Sequence, residues 1–193
     1  MAAIALGPRE LFADPAVILE SRPDGVRLLS SALPMPAYSR CIGEWLERWA
    51  DETPDAVYLA ERGADGAWIR IGFGEARTRV YRISSWLLGQ NLSPERPVLV
   101  LSGNGIEHAL LALACFHVGI PICAVSTGNS LVSRDFVKLK ANVELLRPGV
   151  IYADTIERYR PALDAVASLH DALVVAGGRS QPQPGSVPFA TLE

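Results

Sequence analysis

Four short apolar runs constrain this chain more than any other feature: Pro97–Leu101, Pro121–Val125, Val150-Ile151-Tyr152 and Ala172–Ala176. None alternates apolar with polar residues, so each reads as a strand buried on both faces. Helical patterns lie between them. One helix follows Ser102-Gly103-Asn104-Gly105 and runs to about Val118. Val132, Phe136, Leu139, Val143 and Leu146 mark a second helical face, and Ile156, Tyr159, Leu163 and Val166 a third. Doubly buried strands that alternate with helices pair in parallel, and right-handed crossovers make the result an α/β fold: an open, doubly wound, mostly parallel sheet flanked by helices.

Upstream of this body the pattern differs. Val17–Glu20 and Val26–Leu29 flank Pro23-Asp24-Gly25, which predicts a hairpin inside an otherwise irregular lead-in of residues 1–40. Ile42, Trp45, Leu46 and Trp49 share a helical face, with Pro54 just past its end. Val57–Ala60 and Trp68–Ile71 predict a second hairpin around Gly63-Ala64-Asp65-Gly66. Phe73, Ala76, Val80, Ile83 and Leu87 then trace an amphipathic helix that ends near Gly89. The main body is therefore expected over 41–178. After Gly177-Gly178 the chain turns polar and Pro-rich, so 179–193 is expected to be a tail or linker.

Charge and composition exclude several functions. Lys+Arg number 18 against 21 Asp+Glu, a net −3, which leaves no basic field for nucleic acid. With 49% hydrophobic and 20% charged residues, disorder along the whole length is excluded. Cys41, Cys115 and Cys123 are too few for a disulfide framework and read as free thiols of a reducing compartment. His117, Gly119 and Pro121 interrupt the most apolar stretch, Ala109–Val125, so it is not a membrane span. The first residues lack the basic region and apolar run of a signal peptide. These features lead us to expect a soluble, cytoplasmic protein with neither a nucleic-acid nor a membrane partner.

Two strand-to-helix turns are candidates for chemistry. Ser102-Gly103-Asn104-Gly105 stands where ligands sit in such sheets, but Asn104 with Glu107 three residues on also fits a capping pair. The turn has neither a complete G-x-G-x-x-G pattern nor the Gly-Lys-Ser/Thr ending of a P-loop. Ser126-Thr127-Gly128-Asn129-Ser130 could bring backbone amides to a phosphate or thiol ligand, or its serines could cap the next helix. His108 and His117 have no Cys or His partner at metal-ligand spacing. His117 reads as packing at a helix end, and His170 as a turn residue. No G-x-S-x-G elbow is present. Arg134, Lys138, Lys140, Arg158 and Arg160 read as solvated helix faces, and Trp45, Trp49, Trp68 and Trp86 as packing residues.

A longer run of residues carries a family resemblance. Trp45–Asp55 resembles the opening helix of acyl-CoA synthetases in the adenylate-forming (AMP-binding) superfamily. Ala60-Glu61-Arg62, Gly66-Ala67-Trp68 and Phe73-Gly74-Glu75-Ala76 continue in that family's order. Ser93–Asn104, Glu107–Ala114 and Ser130–Leu139 resemble the feruloyl-CoA synthase branch, and the similarity runs from about Val17 to Ala176. The resemblance implies the N-terminal part of a large domain, in an enzyme that activates a hydroxycinnamate-type carboxylic acid with Mg-ATP and transfers the acyl group to CoA. It also implies that Thr127, Gly128 and Arg158 contact CoA, as the matching positions do in related acetyl-CoA synthetases.

The chain departs from the branch at Ser126–Ser130, where Ser-Pro-Ala-Tyr-Ser is usual. It also lacks the family's Ser/Thr/Gly-rich phosphate loop ending in Pro-Lys-Gly, the later nucleotide and magnesium motifs, and the C-terminal domain with its adenylation Lys. No catalytic residue can be carried over. The expectation is a fragment that does not adenylate alone. The alternative is a non-enzymatic α/β binding module, or a split subunit whose sheet a partner chain completes.

Overall fold

A computed structural model describes residues 16–181 and 183–193, and the chain divides into two compact units between Tyr38 and Ser39. In the first, β1 (Val17–Ser21) pairs antiparallel with β2 (Arg27–Ser31), Leu19 opposite Leu29. The Pro23-Asp24-Gly25 turn closes this hairpin because Gly25 takes φ +83°, which a side chain would resist.

The second unit opens with α1 (Gly43–Glu52), followed by a hairpin of β3 (Val57–Arg62) and β4 (Trp68–Gly72) and then α2 (Phe73–Leu88). The face of α2 is the one its spacing predicts: Ala76, Val80, Ile83 and Leu87 are all fully buried. The face of α1 is so only in part: Leu46 is buried and Trp49 half-buried, as expected. Gly43, Leu46 and Ala50 turn inward, while Ile42 lies just before the helix, exposed. The tryptophans correct the packing expectation in part. Trp45 is 47% and Trp68 46% exposed, and the guanidinium of Arg62 lies 4.0 Å from the centroid of the Trp68 ring. A cation over an indole face satisfies an aromatic ring without burial.

The body is a five-stranded parallel sheet built from β5 (Val98–Leu101), β6 (Ile122–Ala124), β7 (Val150–Ala153), β8 (Leu173–Ala176) and β9 (Ser186–Pro188). Their order is β6-β5-β7-β8-β9. Register follows from the parallel ladder: Val98, Leu99 and Val100 lie beside Val150, Ile151 and Tyr152. Alternate residues face opposite layers. Val98, Val100, Val150, Tyr152 and Val175 pack against α2 and α3 (Ile106–Val118). Leu99, Leu101, Ile151, Ala153 and Ala176 pack against α4 (Val137–Leu146) and α5 (Ile156–Val166). Each fully buried aliphatic side chain in these layers contributes roughly 1.5–3 kcal/mol relative to exposure.

Three further differences from expectation have physical causes. The strand at Pro121–Val125 is an edge strand, so Ala124 is exposed rather than covered on both faces. Val132 lies outside α4 and is 78% exposed. There the Ser133 hydroxyl accepts the Phe136 N–H and the Asp135 carboxylate accepts the Val137 N–H, while Phe136 takes φ +54°. These side-chain bonds start the helix after Phe136 instead of before it.

Finally, Ser186–Leu192 packs into the body, although the composition of 179–193 suggests a tail leading away. Val187 pairs with Val175, and Phe189 and Leu192 are buried in the α2–α3 layer. Pro188, which has no N–H to give a ladder, is tolerated because β9 is an edge strand. Among the described residues no helix is long and apolar enough to cross a membrane.

Candidate functional site

The connections of the sheet choose the place where a ligand could enter. After β5 the chain passes to one layer through α3; after β7 it passes to the other through α5. The two loops therefore part at the carboxyl ends of neighbouring strands, which opens a crevice there. A cleft of about 510 Å³ fills that position, lined by Ser102–Gly105, Glu107, His108, Tyr152, Asp154, Gly178 and Arg179, with Glu61–Ala64 and Ile69 from the β3–β4 hairpin.

Glu107 organises its floor. Gly178 N–H donates to both Glu107 oxygens at 3.0 and 3.1 Å, and the Tyr152 hydroxyl donates to Oε2 at 2.8 Å. Burial pushes the Glu107 carboxyl above its ordinary value, and these donors partly offset the shift. Burial, followed by the neighbouring Glu107, also raises the Tyr152 phenol.

The expected capping pair of Asn104 and Glu107 does not form. Gly105 is the N-cap of α3 and makes no side-chain cap; Glu61 of β3 instead accepts the Ile106 N–H at 2.9 Å. Glu107 is drawn away because its carboxylate meets two donors across the sheet end.

His108 Nδ1 lies 2.9 Å from Ser102 Oγ and 3.1 Å from the Gly103 carbonyl oxygen. A carbonyl only accepts, so Nδ1 carries a hydrogen here, while the Ser102 hydroxyl gives its own proton to the Gly103 carbonyl at 2.8 Å. With Nδ1 donating, the ring does not draw the Ser102 proton, so the pair is not an activated nucleophile. Asp154 Oδ2 accepts the Gly103 N–H at 3.3 Å, while its buried Oδ1 has no protein partner.

The residues singled out for CoA lie elsewhere. Thr127 and Gly128 are exposed in the turn after β6, where Gly128–Val132 forms one turn of π-helix; Arg158 is exposed on α5, against which that turn packs. None of the three lines the β5–β7 cleft. At Gly128 an added Cβ would meet only Ser126 Oγ, at 3.4 Å, so packing alone does not demand glycine there.

The change of composition after Gly177-Gly178 marks a boundary in the sequence, but the pair is also part of the cleft. A Cβ on Gly177 would stand 2.5 Å from the Asp154 carbonyl oxygen and 2.8 Å from Glu107 Oε2; one on Gly178 would stand 2.8 Å from Glu107 Oε1. The adjacent glycines at a strand end were the available signal. Of the histidines, His117 is exposed with its ring 5.3 Å from that of Tyr81, and His170 Nδ1 accepts the Ala172 N–H at 3.1 Å. Cys115 is buried, its thiol pushed up to about 12 by that burial. Among the described residues no group of three or more His, Cys, Asp or Glu side chains could hold a metal ion.

A family profile described as AMP-binding enzyme matches residues 46–175. No curated protein matches the chain in sequence. Solved structures share its fold at low identity. The luciferase-like enzyme of the nonluminescent mealworm Zophobas morio superposes with TM-score 0.65 at 15% identity, over 82% of this chain and 35% of that one. Anthranilate CoA ligase AuaEII, solved with anthranoyl-AMP, gives 0.64 at 14% identity, over 82% and 27%. Acetoacetyl-CoA synthetase from Streptomyces lividans gives 0.63 at 16% identity, over 79% and 24%. The chain thus spans about a quarter to a third of the length of these structures.

Proposed function

The chain belongs to the AMP-binding enzyme family, and we propose that it is the N-terminal portion of an acid–thiol ligase of the feruloyl-CoA synthase type. Such an enzyme joins a hydroxycinnamate-type carboxylic acid to AMP at the expense of ATP, releasing pyrophosphate, and then passes the acyl group to CoA. One observation carries the reading: the family match at 46–175 covers the stretch in which feruloyl-CoA synthase-like motifs occur in order. That one structural relative is a CoA ligase for an aromatic acid, anthranilate, supports the substrate class.

The chain's own residues fit these groups unequally. The cleft is lined by the carboxylates of Glu61, Glu107 and Asp154 against the guanidiniums of Arg62 and Arg179, one of them paired with Glu61, so its lining offers a polyphosphate no net positive charge. Nor do the described residues converge on a cation site for magnesium. Those contacts fall to the Ser/Thr/Gly-rich loop and later motifs that the resemblance implies in the longer enzyme. Thr127, Gly128 and Arg158 are exposed and open to CoA. Leu145, 81% exposed, and Val132 suit a chain that packs on further polypeptide, whether its own continuation or a partner chain that completes the sheet.

ATP–pyrophosphate exchange tests the proposal. With ferulate, ATP and magnesium, the purified 193-residue protein should give no exchange above background, and the longer product read from the same gene should exchange. Exchange by the 193-residue protein alone, or a longer product indifferent to hydroxycinnamates, would overturn it.

A further inference from the structure

The turn Gly177–Ser180 forms one wall of the cleft, and its flanks are held differently from its tip. Gly177 N–H continues the sheet by donating to Ala153 O at 2.8 Å, and Ser180 Oγ accepts the Ile156 N–H at 2.9 Å. Between these anchors, Gly178 and Arg179 are exposed. The contacts that hold this tip to the rest of the protein are with two carboxylates: Gly178 N–H with Glu107, and Arg179 Nη2 with Glu61 Oε1 at 3.3 Å. We propose that the Gly178–Arg179 tip is a pH-sensitive latch on the cleft, fastened by ionised Glu107 and loosened, within a turn that stays closed by the Ser180 N–H to Gly177 O bond, when Glu107 takes a proton.

The groups around Glu107 favour this role. Glu61 of β3 and Glu193 near the end of the chain bring like charge toward it, and Tyr152 of β7 supplies a donor. Asp154 lies beyond Tyr152, His108 is the next residue on α3, and Arg179 is the positive group on the tip. A protonated carboxyl has one oxygen turned donor, so it can no longer offer both oxygens to the Gly178 N–H. Charge-assisted bonds are about twice as strong as neutral ones, so protonation weakens this contact in particular.

The thermodynamic sign separates latch release from unfolding. Burial raises the folded Glu107 above its unfolded value, so the folded chain takes up this proton more readily than the unfolded one. Stability linked to Glu107 is therefore fully present at acid pH and is lost as pH rises through the folded value. Acidification loosens the tip without costing global stability through this group.

Amide hydrogen exchange of the 193-residue protein, resolved by NMR and corrected for the intrinsic effect of pH, tests the latch. Between neutral and mildly acidic pH, protection at Gly178 should fall about tenfold, the scale expected for losing a bond to a charged group. Amides of Ile151 and Val175 in the sheet should keep theirs. Glu107→Gln, a mimic of the protonated acid, should leave Gly178 poorly protected at both pH values. Tyr152→Phe removes a donor that favours the ionised form and should move the fall toward neutral pH. A neutral nitroxide in solution should broaden the Gly103 and His108 amide signals more at acid pH in the wild type and equally at both pH values in Glu107→Gln. Unchanged Gly178 protection in the wild type, or a Glu107→Gln variant with the wild-type pH profile, would overturn the proposal. Should that variant fail to fold, the wild-type and Tyr152→Phe profiles decide the matter.

Discussion

Tyr152→Ala should destabilise the protein by about 4–8 kcal/mol, a large share of its total stability. Tyr152 is 1% exposed in the middle of β7, and its ring meets Phe189 edge-on at a centroid distance of 5.5 Å. Truncating a buried aromatic residue costs roughly 3–5 kcal/mol through lost transfer energy and the cavity left behind. The substitution also removes a donor from Glu107, and leaving a buried carboxylate short of a partner adds about 1–3 kcal/mol. A domain of this size is stabilised by only about 5–15 kcal/mol in total. Tyr152→Phe keeps the ring and should cost about 2 kcal/mol through the hydrogen bond alone. Urea unfolding followed by circular dichroism separates the two: a small shift in midpoint for phenylalanine, and a lost or severely lowered transition for alanine. Equal effects would mean that the hydroxyl, rather than the packed ring, matters.

Phe189→Ala with Leu192→Ala should cost at least about 5 kcal/mol, although both residues follow a polar, Pro-rich stretch. They are 1% and 2% exposed, in the same layer as α2 and α3. Single truncations at such positions cost roughly 3–5 and 2–5 kcal/mol, and neighbours that share a cavity do not add fully. Arg79 reinforces the attachment by donating through Nε to Glu193 at 2.7 Å. The comparison is urea unfolding of the double variant against wild type. Indistinguishable curves would make 186–193 the appended tail that its composition suggests.

These two cases mark where sequence periodicity is informative. The α2 face and the β5, β7 and β8 cores could be read directly, because long spacing patterns and strands apolar on both faces leave few packings open. The segment 186–193 could not be: three strand residues ending in proline give no alternation to detect, and their pairing with β8 depends on a distant partner. On α1 the expected face holds only at Leu46, because aromatic residues outweigh Gly43 and Ala50 in any count, yet these small residues turn inward beside Leu46 while Trp45 does not. Val132 falls outside α4 because the side chains of Ser133 and Asp135 bond the backbone locally and delay the helix.

For the site, the turn after β5 could be located from its place between strand and helix. The role of Glu107 could not. Its fit to a local capping pattern hid a partner 45 residues away, Tyr152, and another 71 residues away, Gly178. Long-range pairs of this kind leave only indirect traces in a sequence, here the paired glycines that make room for a carboxylate.

The most direct test of the central claim is to sequence the coding DNA beyond the Glu193 codon and translate it in all three frames. A continuation carrying a Ser/Thr/Gly-rich loop that ends in Pro-Lys-Gly is the predicted result, and it would make the chain the first part of an acid–thiol ligase. Sequence with no such loop in any frame would contradict that reading and leave an α/β module that stands on its own.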